Sequence, residues 1–338
     1  MPLRDPVQSK EMIFFLGRNL SMIAFAAAIE PLRIANRLRQ EEVYTWRLVS
    51  EDGGAIRCSN GCMIRVDSGL DEVARDATII VCTGVDVHLV ATKPVLTWLR
   101  RESRRGITIG AVDTGTHVLA KAGLLDGRRC TIHWENQPSF MEEFPDIEVT
   151  NFLFEIDNGR FTCAGGASAS DMMLQLIADR EGQELAGLVA DQMIHAPVRT
   201  KREEQRLSVP ARIGVRHPKL VSIIQMMERN LEEPISPSVL AKEAGMSTRQ
   251  LERLFRRYLN RSPKRYYMEM RLQRARQLLL QTDMSVINVA LACGFTSPSH
   301  FSKCYRSLFE RTPYRERGTP EAQKLSEPAG SPPVAAGS

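Results

Sequence analysis

A pattern that occurs twice in the last third of the chain constrains its fold more than any other feature. The first copy is SPSVLAKEAGMSTRQLERLFRRYL, residues 236–259, and the second is SVINVALACGFTSPSHFSKCYRSLF, residues 285–309. In each, a serine opens an amphipathic helical stretch, a glycine follows, and another serine opens a second stretch. Serine is a favoured N-cap because its hydroxyl accepts from a backbone N–H left free in the first turn. Ser236 precedes Pro237, and Ser297 precedes Pro298; proline is pre-shaped for the first helical position. Ser247 with Gln250 makes a capping box. Gly245 and Gly294, 49 residues apart, can turn the chain at positive φ. Val239, Leu240 and Ala244 are expected to face inward before the first glycine, and Leu251, Leu254, Phe255 and Tyr258 after it. Val286, Val289 and Ala290, then Phe301, Tyr305 and Leu308, do the same in the second copy. The pattern predicts two helix-turn-helix motifs in an all-α C-terminal domain.

Between them PKRYYMEMRLQRARQLLLQ, residues 263–281, reads as one continuous helix about 28 Å long. That length suits two reading helices set roughly one DNA turn, about 34 Å, apart. Charge agrees. Residues 211–318 hold 20 Lys+Arg against 9 Asp+Glu, although the whole chain is only +5. A basic segment attached to an acidic body points to promoter DNA as a partner.

From Met12 to about Ala196 the pattern changes. MIFFLG, YTWRLVS, ATIIVCTG and ITIGAV read as strands, alternating with helical stretches. SMIAFAAAIEPLRIANRL is expected to be a helix broken at Pro31. EVTNFLFEIDNGRFTCAGG reads as two antiparallel strands around Asp157-Asn158-Gly159. The rhythm predicts an α/β flavodoxin-like N-terminal domain, a mostly parallel sheet with helices on both faces. The expected domains are 10–196 and 218–318, with a polar, proline-punctuated linker at 197–217. Residues 319–338, rich in Pro, Ala, Gly and Ser, are expected to be a disordered tail.

The longest apolar run, around Met22 to Ile29, falls far short of the roughly 20 residues of a membrane span. The seven cysteines are scattered. Cys58 and Cys62 are close together, but no histidine or second cysteine pair accompanies them at zinc spacing. A cytoplasmic protein with reduced thiols is expected, with no metal, no cofactor and no membrane partner.

The segments VALACGFTSPSHFSKCYRSLFERTPYRER and LAKEAGMSTRQLERLFRRYLNRSPKRYY resemble the AraC/XylS family of bacterial transcription regulators. The resemblance makes Arg249, Glu252 and Arg253, with Gln250 beside them, base-facing candidates on the first reading helix. Ser299, His300 and Lys303 are those of the second, where Pro298 occupies a place a polar residue could have used to read a base. Lys264 and Arg265, at the start of the connecting helix, are expected to hold phosphate.

The segments AIEPLRIAN (28–36), GTHVLAKAGLLDGRRCTIHWE (115–135) and CAGGASASDMML (163–174) resemble the ThiJ/PfpI branch of the class I glutamine-amidotransferase-like fold. The whole chain is therefore similar to the GlxA-type AraC regulators. In the enzymes of that fold the strand-turn-helix elbow carries a cysteine. Here the elbow, IGAVDTGTHVLAKAGLLDG, carries Asp113, and His133 follows about twenty residues on. Without a thiolate the elbow has lost its nucleophile. Asp113 is expected to be an anion at neutral pH, favoured by the helix dipole. With Thr114, Gly115, His133, Trp134 and Glu30 it forms a candidate site for a small cationic or amino-acid-like effector. Trp134 would offer a π-face. The resemblance implies a nitrogenous metabolite such as a betaine, carnitine or basic amino acid. It also implies an activator, a homodimer that works with RNA polymerase and is nucleoid-associated when bound to DNA. The alternative is a hydrolase or lyase of the same fold with a DNA-binding appendage.

Overall fold

The structure, a computed structural model, describes residues 9–195, 199–200, 203–205, 209–282 and 284–317. The expected tail at 319–338 lies outside the described residues. The chain divides into two compact units, Met1–Arg206 and Leu207–Ser338.

The first unit runs β1 (Lys10–Leu16), α1 (Met22–Arg39), β2 (Tyr44–Val49), β3 (Ile56–Arg57), β4 (Met63–Ile64), β5 (Thr78–Cys82) and α2 (Lys93–Arg104). It continues β6 (Thr108–Val112), α3 (Gly115–Lys121), β7 (Arg129–Cys130), α4 (Gln137–Glu143), β8 (Glu148–Val149), β9 (Phe154–Asp157), β10 (Arg160–Cys163), α5 (Ser168–Glu181) and α6 (Gln183–Gln192). Six strands form one sheet in the order β2-β1-β5-β6-β10-β9, parallel except for the β9–β10 pair. That antiparallel hairpin turns on Asn158 and Gly159, both at positive φ, as its Asn-Gly sequence predicts.

Side chains alternate across a strand, and β1 divides them between two cores. Met12, Phe14 and Leu16 pack with α1, α5 and α6; Ile13 and Phe15 pack with α2 and α3 on the opposite face. Burial on both faces explains why β1 and β5 read as unbroken apolar runs.

Helix α1 is not broken at Pro31: it runs unbroken from Met22 to Arg39 with Pro31 buried inside. Proline deprives the carbonyl four residues back of its helical donor. That carbonyl, Ala27, instead accepts from the Ser170 hydroxyl of α5 at 3.1 Å. A neighbouring helix makes good the bond the proline removes.

The second unit is helical: α7 (Val209–Ile213), α8 (Pro218–Arg229), α9 (Pro237–Glu243), α10 (Thr248–Leu259), α11 (Pro263–Gln281), α12 (Val286–Ala292), α13 (Pro298–Phe309) and α14 (Pro313–Glu316). Helix α7 falls within the segment read as a linker, and its Val209 packs with α8, α9 and α10. Two cores result. Leu220, Ile223, Leu240, Leu251 and Phe255 make the first; Val286, Val289, Phe301 and Tyr305 make the second. Helix α11 serves both, giving Tyr267 to one and Leu272, Ala275, Leu278 and Leu279 to the other. Val239, expected inward, is 45% exposed, and Ala241 takes the inner position beside Leu240.

Candidate nucleic-acid interface and effector site

The two helix-turn-helix motifs are built alike. Gly245 and Gly294 have φ of 61° and 73°. A cation from the preceding helix reaches each turn: Lys219 donates to the Gly245 carbonyl at 3.1 Å, and Arg271 to the Gly294 carbonyl at 2.5 Å. Ser247 and Ser297 then cap α10 and α13, each of 12 residues. Burial along residues 251–265 repeats position for position along 301–315, an offset of 50. The offset between turn glycines is 49, so the second turn holds one residue more.

Arg249 and Arg253 lie exposed on α10, and Arg253 has no ion-pair partner among the described residues. Glu252 stands 3.9 Å from Arg256. The Gln250 side chain is committed: it accepts from the Ser247 N–H at 2.7 Å, completing the capping box. A base contact by Gln250 would cost that bond. On α13, Ser299, His300 and Lys303 are exposed, and His300 lies 3.4 Å from the Cys304 thiol. Ser302, Lys303, Arg306, Ser307 and Thr312 line an open hollow, with two cations suited to phosphate. Lys264 and Arg265 are exposed at the start of α11, where Arg265 pairs with Glu269 at 3.0 Å.

In the first unit the elbow forms as expected. Asp113 sits at φ 60° between β6 and α3, only 9% exposed. Its neighbours hold it there. The Asp113 N–H donates to the Cys163 carbonyl at 3.1 Å. A Cβ on Gly165 would come within 2.7 Å of the Asp113 Cβ, so only glycine lets the 163–166 loop approach so closely. Thr114 and Gly115 support this floor. The Thr114 hydroxyl donates to the Gly84 carbonyl at 2.5 Å and accepts from Thr83 at 2.8 Å. A Cβ on Gly115 would meet the Val81 carbonyl at 2.3 Å.

The expectation of a fully ionised Asp113 is corrected. Burial pushes its carboxyl up to about 7, against the opposing pull of the Ser21 hydroxyl and the Thr114 N–H; Glu135 pushes further upward. Desolvation outweighs the hydrogen bonds because a buried carboxylate loses its water. Ser21, the N-cap of α1, makes no capping bond with its side chain and turns its hydroxyl to Asp113. Burial lowers the His133 pKa, leaving the ring neutral at pH 7, and Trp134 tilts against it at 5.6 Å. Glu30 is half-exposed and pairs with Arg33 at 2.7 Å. No bond among the described residues joins it to Asp113. Sequence reasoning passed over Ser21, Thr83, Gly84, Glu135 and Gly165. Thr83, Gly84 and Gly165 follow the ends of β5 and β10, and Ser21 opens α1, all far from Asp113 along the chain and brought near it only by the sheet order.

Comparison with known proteins places this architecture. The DJ-1/PfpI family matches residues 23–179 and the helix-turn-helix domain family matches residues 240–318. The HTH-type transcriptional regulator CdhR of Pseudomonas aeruginosa is 43% identical over 97% of this chain and 96% of its own. GbdR, another HTH-type transcriptional regulator of that organism, is 44% identical over 95% of this chain and 87% of its own. The regulator GlxA of Rhizobium meliloti is 39% identical over 89% of this chain and 93% of its own. These relatives are regulators, so the reading as a hydrolase or lyase falls. The chain belongs to this family of DNA-binding transcriptional regulators, in which a DJ-1/PfpI domain precedes an AraC-type helix-turn-helix domain, and it is not an enzyme.

Proposed function

We propose that the first unit binds a small cationic, amino-acid-like metabolite at Asp113, and that occupancy changes promoter binding by the second. The observation that carries this is the elbow itself: a nearly buried carboxyl at the tip, beside Ser21, with neutral His133 and the Trp134 face following on one segment. A cation favours the ionised carboxylate, so binding releases a proton whenever Asp113 starts protonated. Arg249, Glu252, Arg253, Ser299 and His300 face the bases; Lys264 and Arg265 hold phosphate, and so does Lys303, expected among the base readers, which joins Arg306 at the hollow on α13. Residues 10–196 sense, residues 218–318 read DNA, and 197–217 connect them. The protein acts in the cytoplasm, at the nucleoid when DNA-bound, as a homodimeric activator that engages RNA polymerase. The resemblance to GlxA-type regulators supports these last assignments, and sedimentation and in vitro transcription test them.

The experiment for the site is calorimetric titration of glycine betaine, carnitine and arginine into the full chain and into Asp113→Asn. Affinity for the bound compound rises roughly tenfold from pH 6 to pH 8, as the carboxyl ionises, and is lost in the variant. Equal affinity in both proteins would remove Asp113 from the site.

A further inference from the structure

The hairpin of β3 and β4 has no part in the functions above, yet it carries an unusual pair. Ile56 pairs with Ile64 and Arg57 with Met63, so the same register sets Cys58 opposite Cys62. The Cys58 N–H donates to the Cys62 carbonyl at 2.8 Å, and the Gly61 N–H closes the turn on the Cys58 carbonyl at 2.9 Å. The Cys62 N–H turns instead to the Asn60 side chain at 3.0 Å, and directly opposed residues of an antiparallel pair put their side chains on one face with Cα atoms roughly 4.5–5.5 Å apart. A disulfide spans Cα separations of about 4.4–6.8 Å. Both thiols are free; Cys62 is exposed and Cys58 buried.

The hairpin is also tied to the floor beneath Asp113. The Ser59 N–H donates to the Leu20 carbonyl at 3.0 Å, and the Arg57 carbonyl accepts from the Asn19 N–H at 2.8 Å. The next residue, Ser21, reaches the Thr83 carbonyl with its N–H at 3.4 Å, and Leu20 itself bridges to Gly84, whose carbonyl accepts from the hydroxyl of Thr114 next to Asp113.

We propose that Cys58 and Cys62 form a dithiol–disulfide redox site, oxidised by hydroperoxides, whose closure moves the Leu20–Ser21 backbone against Asp113. The exposed Cys62 reacts first. Its thiolate attacks a peroxide oxygen, the O–O bond breaks, and the leaving oxygen departs as water or alcohol with the thiol's proton. The resulting sulfenic acid is attacked by the Cys58 sulfur. The S–S bond forms, the S–O bond breaks, and hydroxide leaves with the Cys58 proton as water. Two sulfurs lose one electron each and one peroxide is reduced. Burial and the neighbouring Cys62 raise the Cys58 thiol pKa, which fits Cys58 as the resolving partner.

The test treats the full chain with hydrogen peroxide and digests it with trypsin, which cuts after Arg57 and Arg65. The peptide spanning Cys58 to Arg65 becomes lighter by two hydrogens and recovers with dithiothreitol; Cys62→Ser abolishes the change. Cys58→Ser instead accumulates a sulfenic acid at Cys62 that dimedone traps. In the oxidised wild type, backbone hydrogen exchange across residues 19–21 changes at least about twofold, and it stays constant in Cys62→Ser. A peptide left reduced, or Cys62 carried only to sulfinic acid in the wild type, overturns the redox site. A disulfide without altered exchange at residues 19–21 overturns its link to Asp113.

Discussion

Helix α10 presents Arg249, Arg253, Arg256 and Arg257 to solvent, while α13, buried at the same positions, presents Ser299, Lys303, Arg306 and Ser307. The frame beneath each is equivalent: Leu251 and Phe255 in one, Phe301 and Tyr305 in the other, each fully buried. Packing fixes where a helix lies and leaves its outer face free to diverge. Guanidinium forks pair bidentately with guanine, which a lysine ammonium does less selectively. We propose on this ground that base discrimination rests mainly on α10, and a larger share of phosphate contact on α13.

Six substitutions probe that division, beginning with the shared frame. Phe255→Ala and Phe301→Ala each empty a fully buried ring from a different core, at a cost of about 3–5 kcal/mol. Denaturant unfolding should find the two similar; a near-neutral outcome in either would break the structural equivalence. Next, Arg253→Ala should cost roughly 1–3 kcal/mol of binding and relax preference at one base pair. Lys303→Ala should weaken all sequences nearly alike and flatten the salt dependence by about 0.9 in log–log slope. Binding isotherms on a mutated operator series separate the two, and the reverse assignment would follow if Lys303 carried the base preference. The smallest expected effect is at the caps. Ser247→Ala removes a reciprocal box with Gln250 and should cost about 1 kcal/mol. Ser297→Ala leaves Pro298 in place at the first helical position, and thermal melts should find it milder.

Asp113 carries its own pH signature. Its folded pKa is raised to about 7, so the native state holds a proton that the unfolded chain releases near 4. Stability from this group is present at low pH and is lost as pH rises to about 7, by up to about 4 kcal/mol. Asp113→Asn should be more stable than the wild type at pH 8 and nearly equal to it at pH 4, read by denaturant unfolding.

Local chemistry made much of this legible in advance. Ser caps, turn glycines and the Asn158-Gly159 hairpin follow from short-range rules, and the structure obeys them. The misreadings arise where a distant group intervenes. Pro31 looked like a break because the Ser170 donor lies on another helix. Val239 fits a helical apolar stripe but sits at its margin, and Ala241, two residues on, packs instead. Asp113 looked ionised because the helix dipole is visible in sequence, whereas its burial by the 163–166 loop is not. Ser21 was overlooked because only the β1–β5–β6 sheet order carries the start of α1 to the elbow.

The central claim is that two similar reading helices, held apart by α11, engage one face of one duplex. Methylation interference at guanine N7 with the full chain tests it most directly. The account predicts two clusters of interfering guanines about 10 base pairs apart, with Arg253→Ala erasing contacts in only one of them. A single cluster, or interference scattered evenly along the fragment, would contradict it.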